Sequence, residues 1–186
     1  KLQCIKAVNE RYPEENKVVV FGEGDVDAEI VLVGEAPGEK ETKYVRPFVG
    51  PAGKNLDEFL ELLELKREDI YITNTVKFRP YKVNPATGRL SNRPPDKSEL
   101  ELCLPFLLHQ LDIIKPEVVV TLGNTPLKAL SGDKNITIGE NHGRFIDMEK
   151  YKLFPLYHPA SIIYNASLKE VYHDDIIKLK EFLNRL

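Results

Sequence analysis

Cysteine is scarce in this 186-residue chain, which contains only Cys4 and Cys103. Two cysteines argue against a disulfide framework, and without a C-x-x-C pair they do not predict a structural zinc site. Long apolar runs are also missing, and the first residues lack the basic-then-apolar pattern of a signal peptide. We therefore expect a cytoplasmic protein that binds no metal and has no membrane partner.

An excess of positive charge is missing as well, since 26 Lys and Arg residues stand against 29 Asp and Glu residues. The overall basic field that favours nucleic-acid binding is therefore absent. Basic residues are instead concentrated between 76 and 95, where there are no acids. The prolines of this stretch indicate a long surface loop, which is either simply solvated or suited to a phosphate-bearing ligand.

Four short apolar runs indicate the fold. They predict buried parallel strands at 29–33, 70–74, 117–122 and 152–157, with a further edge strand at 17–21. Helical patterns lie between them, over 52–65, 96–114, 125–130 and 168–185. The alternation predicts one domain over 1–186, with an α/β fold of three layers (α/β/α) and a central four-stranded parallel sheet.

Reactive or small residues follow the predicted strands. Glu35 follows the first strand, Asn74 ends the second, Asn124 follows the third and His158 follows the fourth. Because ligands bind beyond the carboxyl ends of parallel strands, we expect these side chains to meet in one pocket. The glycines of Gly34-Glu35-Ala36-Pro37-Gly38 match neither a dinucleotide fingerprint nor a Walker loop, and a tight turn explains them equally well.

Each candidate also has a purely structural interpretation. Phe48, in the loop over 46–53, either belongs to the core or stacks on a planar base. Asn74 either shapes a turn or reads the edge of an amide-like heterocycle. A lone histidine is more often structural, but the position of His158 at a strand end favours a role as a donor or acid.

Longer motifs give a specific resemblance. The chain resembles the uracil-DNA glycosylase superfamily, most closely family 4, over roughly residues 18–185. The motifs that carry it are GEAPGEKE over 34–41, RPFVGPAG over 46–53, Asn74 with KFRP over 77–80, and HPA over 158–160. The resemblance implies a DNA-repair enzyme that flips uracil out of DNA and hydrolyses its N-glycosidic bond.

The resemblance also implies roles for single residues. Substrate-binding residues would be Gly34, Ala36, Phe48, which stacks on the base, and Asn74, which hydrogen-bonds its edge. Catalytic residues would be His158, which stabilises charge on the uracil O2, Glu41, which closes the thymine-methyl side, and Glu35, in the water-activating motif. Candidate DNA contacts are Lys77, Arg79, Arg93, Ser161, Ile162 and Ile163, although core packing explains the two isoleucines equally well.

Two departures from family 4 are visible. Members usually hold a four-iron cluster with four cysteines, whereas here Phe78 and Ala7 occupy two of those positions and only Cys4 and Cys103 fit the others. Since such a cluster takes four ligands, we predict that none is bound and that Phe78 and its neighbours pack the region. Thr42 stands where the family generally has Asp or Asn, which bears on activity and base preference.

The resulting prediction is a monomeric uracil-DNA glycosylase whose partner is uracil-containing DNA. Two alternatives stay open at this point. One is a glycosylase for another deaminated base such as hypoxanthine, and the acidic net charge of −3 also leaves room for a free nucleotide as substrate. The other is a non-catalytic nucleic-acid-binding relative.

Overall fold

A twisted sheet between two helical layers organises the chain. The computed structural model describes residues 1–165 and 167–185, with residues 162–164 described by their backbone only. Its strands are β1 (Glu23–Gly24), β2 (Ile30–Gly34), β3 (Tyr71–Asn74), β4 (Tyr81–Val83), β5 (Leu90–Asn92), β6 (Val118–Leu122), β7 (Ile146–Asp147) and β8 (Lys152–Leu156). Its α-helices are α1 (Leu2–Arg11), α2 (Glu39–Tyr44), α3 (Pro51–Leu63), α4 (Lys97–Ile114), α5 (Asn124–Ser131), α6 (Ile138–Asn141), α7 (Pro159–Tyr164) and α8 (Leu168–Leu183).

The main sheet has six strands in the order β1-β3-β2-β6-β8-β7. The four central strands are parallel, as the sequence predicts, and each edge strand is antiparallel to its neighbour. The predicted sheet of four strands therefore lacks the two edge strands, because two-residue strands are too short to leave an alternating pattern in the sequence.

Alternate residues of β2 face the two helical layers. Leu32 packs in one apolar cluster with residues of α3 and α8, whereas Val31 and Val33 pack in a second cluster with residues of α4. Both faces of this strand are therefore covered, which explains its continuous apolar run. The three-layer α/β/α architecture is confirmed.

Several local predictions are confirmed and others are wrong. The capping box of α4 is present, since the Asp96 side chain accepts from the Glu99 N–H at 3.0 Å and Asp96 N–H donates to the Glu99 carboxylate at 2.9 Å. The strand expected at 17–21 is wrong, because Val20 N–H donates to the carbonyl of Lys77 outside any ladder. The stretch 39–50, expected to be a loop, contains α2, and the basic loop carries the β4–β5 hairpin.

No helix in the described part of the chain combines the length and the apolar character that crossing a lipid bilayer requires.

Candidate active site

The carboxyl ends of the central strands form the floor of a cleft of about 610 Å³. Gly34 and Asn74 are register partners at the ends of β2 and β3, and β8 leads directly to His158. The structure brings most of the predicted site residues together here. The cleft is lined by Glu35, Ala36, Glu41, Phe48, Asn74, Arg93, Asn124, Tyr157, His158 and Ser161, among others.

Gly34 makes room for two of these side chains. A Cβ built on Gly34 would collide with the Asn74 amide oxygen and would lie 2.7 Å from Cζ of Phe48. Both side chains are buried, Asn74 being 3% and Phe48 5% exposed. The absence of a side chain at residue 34 thus lets a ring and an amide lie side by side.

The backbone of Phe48 adopts a left-handed conformation, with φ of 51°. Its carbonyl accepts from the Arg67 guanidinium at 2.8 Å, and it lies so close to Gly53 that a Cβ there would collide with it. These contacts hold a conformation that non-glycine residues seldom adopt. The ring faces the imidazole of His158 with 6.0 Å between ring centroids and 26° between planes.

His158 caps the N-terminus of α7. Its Nδ1 accepts from the Ala160 N–H at 3.1 Å, so in the neutral ring the hydrogen resides on Nε2. Burial lowers the pKa of His158 below its ordinary value of 6.5, which favours this neutral form. The histidine is therefore both a helix cap and a neutral N–H donor in the cleft.

Glu41 joins the two loops that flank the cleft. One carboxylate oxygen accepts from the Gly50 N–H at 2.7 Å and the other from the Gly38 N–H at 3.2 Å. Gly38 precedes α2 and Gly50 precedes α3, so a single negative charge lies at two helix N-termini. Thr42 lies in α2, where its hydroxyl donates to the Gly38 carbonyl at 2.8 Å.

Glu35 has a partner that the sequence did not indicate. The Thr125 hydroxyl, in the first turn of α5, donates to the Glu35 carboxylate at 2.5 Å. This bond fixes the carboxylate at the wall of the cleft. The signal for it was the position of Thr125 just after the predicted third strand.

A histidine–aspartate pair behind Tyr157 was also missed. Nδ1 of His142 lies 2.6 Å from a carboxylate oxygen of the buried Asp175, and its ring lies 5.0 Å from the Tyr157 ring. Tyr157 lines the cleft next to His158. His142 therefore supports one wall of the site.

The comparisons with known proteins decide the family. The family model of the uracil DNA glycosylase superfamily matches residues 21–180. The chain belongs to this superfamily. It is 42% identical over 170 residues to the Type-4 uracil-DNA glycosylase of Thermotoga maritima, covering 90% of this chain and 84% of that protein.

Other relatives agree with this placement. The Type-4 uracil-DNA glycosylase of Saccharolobus solfataricus is 40% identical over 176 residues, covering 90% of this chain and 77% of that protein. The Type-5 uracil-DNA glycosylase of Pyrobaculum aerophilum is 28% identical over 159 residues, covering 77% of this chain and 66% of that protein.

The residues predicted to contact DNA differ in burial and in the partners of their side chains. Lys77 is a wrong prediction, because its side chain is completely buried and cannot reach a phosphate. Arg93 forms a two-pronged ion pair with the buried Glu99 at 2.7 and 2.8 Å, and Arg79 donates to Asn92 and to Glu39. Ser161 lines the cleft, and the side chains of Ile162 and Ile163 lie outside the described residues.

The four-iron cluster of family 4 does not fit the residues present. Cys4 and Cys103 are buried in one apolar cluster with Val8, Val76 and Phe78. Phe78 is fully buried and contacts the Tyr12 ring, with 5.3 Å between centroids, which leaves a hydrocarbon side chain where a thiolate ligand would be needed. Among residues 1–165 and 167–185, no group of three or more His, Cys, Asp and Glu side chains is placed to hold a metal ion.

Proposed function

We propose that this chain is a uracil-DNA glycosylase that hydrolyses the N-glycosidic bond of uracil flipped out of DNA. The observation that carries the proposal is the shared cleft of Phe48, Asn74 and a neutral His158, at the ends of parallel strands. The Type-4 relatives support the same activity. Water adds to the sugar carbon, the glycosidic electron pair leaves with the base, and an abasic site remains.

Base recognition follows from the floor and side of the cleft. Phe48 supplies a ring for stacking, worth about 1–3 kcal/mol per base. The Asn74 amide supplies one acceptor and one donor to the edge of the base, and Gly34 and Ala36 leave the space that the base needs. Glu41, fixed by two N–H groups, closes the side on which thymine carries its methyl group.

Departure of the base requires a donor where negative charge develops. The Nε2–H of His158 has that role, because Nδ1 already accepts from the helix α7. A single preorganised donor of this kind typically contributes about 2.7–4 kcal/mol to the transition state. Glu35, held by Thr125, orients the attacking water.

DNA binding relies on cations other than those the sequence favoured. Lys82 and Arg89 are exposed on the β4–β5 hairpin, which continues into Asn92 and Arg93 at the wall of the cleft. A strand of DNA that delivers its base to the cleft would pass this hairpin, and we assign phosphate contacts to these two side chains. Because one chain supplies the whole cleft described above, we propose that the protein acts as a monomer.

The deciding experiment uses labelled single-stranded and duplex oligonucleotides that contain uracil, hypoxanthine, xanthine or thymine, followed by alkaline cleavage of abasic sites. We expect cleavage at uracil and none at thymine. Cleavage at hypoxanthine alone would replace the proposal with a glycosylase for another deaminated base. Binding to uracil-containing DNA without cleavage would indicate a non-catalytic relative.

A further inference from the structure

Lys77 belongs to the basic stretch over 76–95, but its side chain is buried instead of exposed. It lies three residues after Asn74, and its side chain folds back under the end of β3. It is 0% exposed and lies among buried residues of the region that Phe78 fills. Neither DNA nor solvent reaches it, so the mechanism above leaves it without a role.

The ammonium group has three acceptors for its three hydrogens. Nζ of Lys77 donates to Thr73 Oγ1 at 2.7 Å, to the Asn74 carbonyl at 2.7 Å and to Gln110 Oε1 at 2.5 Å. All three partners are neutral oxygens from β3 and α4. The acceptors therefore match an ammonium ion in number, and they place its charge directly beneath the residue that ends β3.

Stability alone does not account for this arrangement. Moving an ammonium ion from water to a protein interior costs several kcal/mol. Within residues 1–165 and 167–185, no carboxylate bonds to the Lys77 ammonium to offset that cost. Burial lowers the pKa of Lys77 to about 7, a further sign that the surroundings disfavour the charge. The three hydrogen bonds offset part of this cost by pairing buried acceptors, and one of them reaches the main chain of Asn74, which lines the cleft.

We propose that Lys77 is a positioning residue for base recognition, whose ammonium group holds the Asn74 main chain so that the Asn74 amide faces the bound base. The proposal deepens the function assigned above and rests on it. Two contacts position Asn74. Gly34 on the neighbouring strand leaves space for the side-chain amide oxygen of Asn74, and the Lys77 ammonium group donates to its main-chain carbonyl. Lys77 touches neither substrate nor water in this scheme and acts through Asn74.

A double-mutant cycle tests this role. We expect Lys77→Met to lower the single-turnover rate by about 10- to 100-fold, the loss typical of a misplaced catalytic group, with little change in KM for the oligonucleotide. In an Asn74→Ala background the same substitution should lower the remaining rate by less than about 3-fold, because the group it positions is gone. Equal losses in both backgrounds would overturn the proposal.

Lys17→Met is the matched control. The Lys17 side chain is also nearly buried, but it pairs with Glu15 and lies over the rings of Tyr12 and Tyr81, away from Asn74. We expect this variant to keep the wild-type rate. A loss as large as that of Lys77→Met would point to general destabilisation of the region and would contradict a specific role for Lys77.

Two further measurements keep the test decisive. Thermal unfolding of every variant reports folding, and Lys77→Gln, which keeps a donor without the charge, replaces Lys77→Met if the latter does not fold. Inhibition by free uracil reports base recognition directly: it should weaken about 10-fold in the folded Lys77 variant and stay unchanged in Lys17→Met. Unchanged inhibition would overturn the proposal, whereas failure of the wild type to cleave uracil-containing DNA would contradict only the proposed function.

Discussion

The amide oxygen of Asn74 occupies the space that a side chain on Gly34 would fill. The two residues are register partners at the ends of adjacent parallel strands, and the Phe48 ring closes the same space from the loop side. A missing side chain on one strand therefore sets the position of a polar side chain on the next.

Gly34→Ala should reduce activity more than it reduces stability. The backbone of Gly34 is extended, so alanine is allowed there, and the added methyl group must displace Asn74 or Phe48. We expect the cleavage rate to fall about 100-fold, as for a shift of about 1 Å in a catalytic group. Single-turnover kinetics checks this, with Gly139→Ala in α6 as a control, because the atom nearest to its added Cβ is the Tyr157 hydroxyl oxygen at 3.9 Å, an ordinary contact distance. A rate near that of the wild type would show that Asn74 tolerates displacement.

His158→Asn separates the two tasks of the histidine. Asparagine is a good N-cap and keeps an acceptor for the Ala160 N–H, but it does not extend an N–H into the cleft as Nε2 does. We expect a rate loss of about 10²–10³-fold and a free energy of unfolding within about 1 kcal/mol of the wild type. Comparable losses of stability and rate in urea unfolding and cleavage assays would contradict this division.

The pH dependence should reflect the same histidine. Its folded-state pKa is lowered by burial, so the folded protein binds fewer protons near this site than the unfolded chain does. The contribution to stability is therefore present above the ordinary value of 6.5 and is lost as the pH falls through the lowered pKa. Protonation adds a hydrogen at Nδ1, which removes the acceptor of the Ala160 N–H and so displaces the ring. We therefore expect the cleavage rate to persist below pH 6.5 and then to fall, and His158→Asn to remove that fall. A pH–rate profile with its midpoint at or above 6.5 would contradict a buried neutral imidazole.

Lys82→Ala combined with Arg89→Ala should change the salt dependence of DNA binding. Each lost phosphate contact reduces the slope of log K against log salt by about 0.9, so the pair should reduce it by about 1.8. The control is Lys66→Ala with Lys115→Asn, two exposed lysines that precede β3 and β6 at the opposite edge of the sheet. Equal slopes for both pairs would exclude the hairpin from the DNA footprint.

The region of Phe78 should be stable without iron. Purified protein should contain no stoichiometric iron or acid-labile sulfide and should show no visible absorption band. Phe78→Ala should cost about 3–5 kcal/mol in unfolding free energy, because a fully buried ring is removed. Phe78→Leu, the milder control, should cost less. Stoichiometric iron, or an unfolding free energy that chelators lower, would contradict this account.

Sequence patterns predict the central sheet and the location of the site because both depend on local regularities. Buried parallel strands appear as continuous apolar runs, and their carboxyl ends fall at one edge whatever the loops do. Glu35, Asn74 and His158 could therefore be placed in one cleft before any coordinates. Short edge strands such as β1 and β7 leave no such pattern, since two residues do not make a period.

Long-range side-chain pairing is what the sequence could not reveal. Lys77 lies in a basic, proline-rich stretch that predicts exposure, whereas its side chain is buried against acceptors from β3 and from Gln110 of the distant helix α4. Arg93 is likewise assigned to DNA by composition, yet its guanidinium is occupied by Glu99. The Thr125–Glu35 bond joins residues 90 positions apart, which no local pattern encodes.

The two backbone N–H groups that donate to the Glu41 carboxylate have a consequence for discrimination between bases. They connect the segments before α2 and α3 through the Glu41 carboxylate, so this side of the cleft is braced without a bound base. Under the proposed function, a base with an extra methyl group would meet the Glu41 carboxylate, which could move only by breaking a charge-assisted hydrogen bond. Rejection of thymine would then appear as a barrier to entry, felt at the moment of flipping and independent of how tightly the flanking DNA is held.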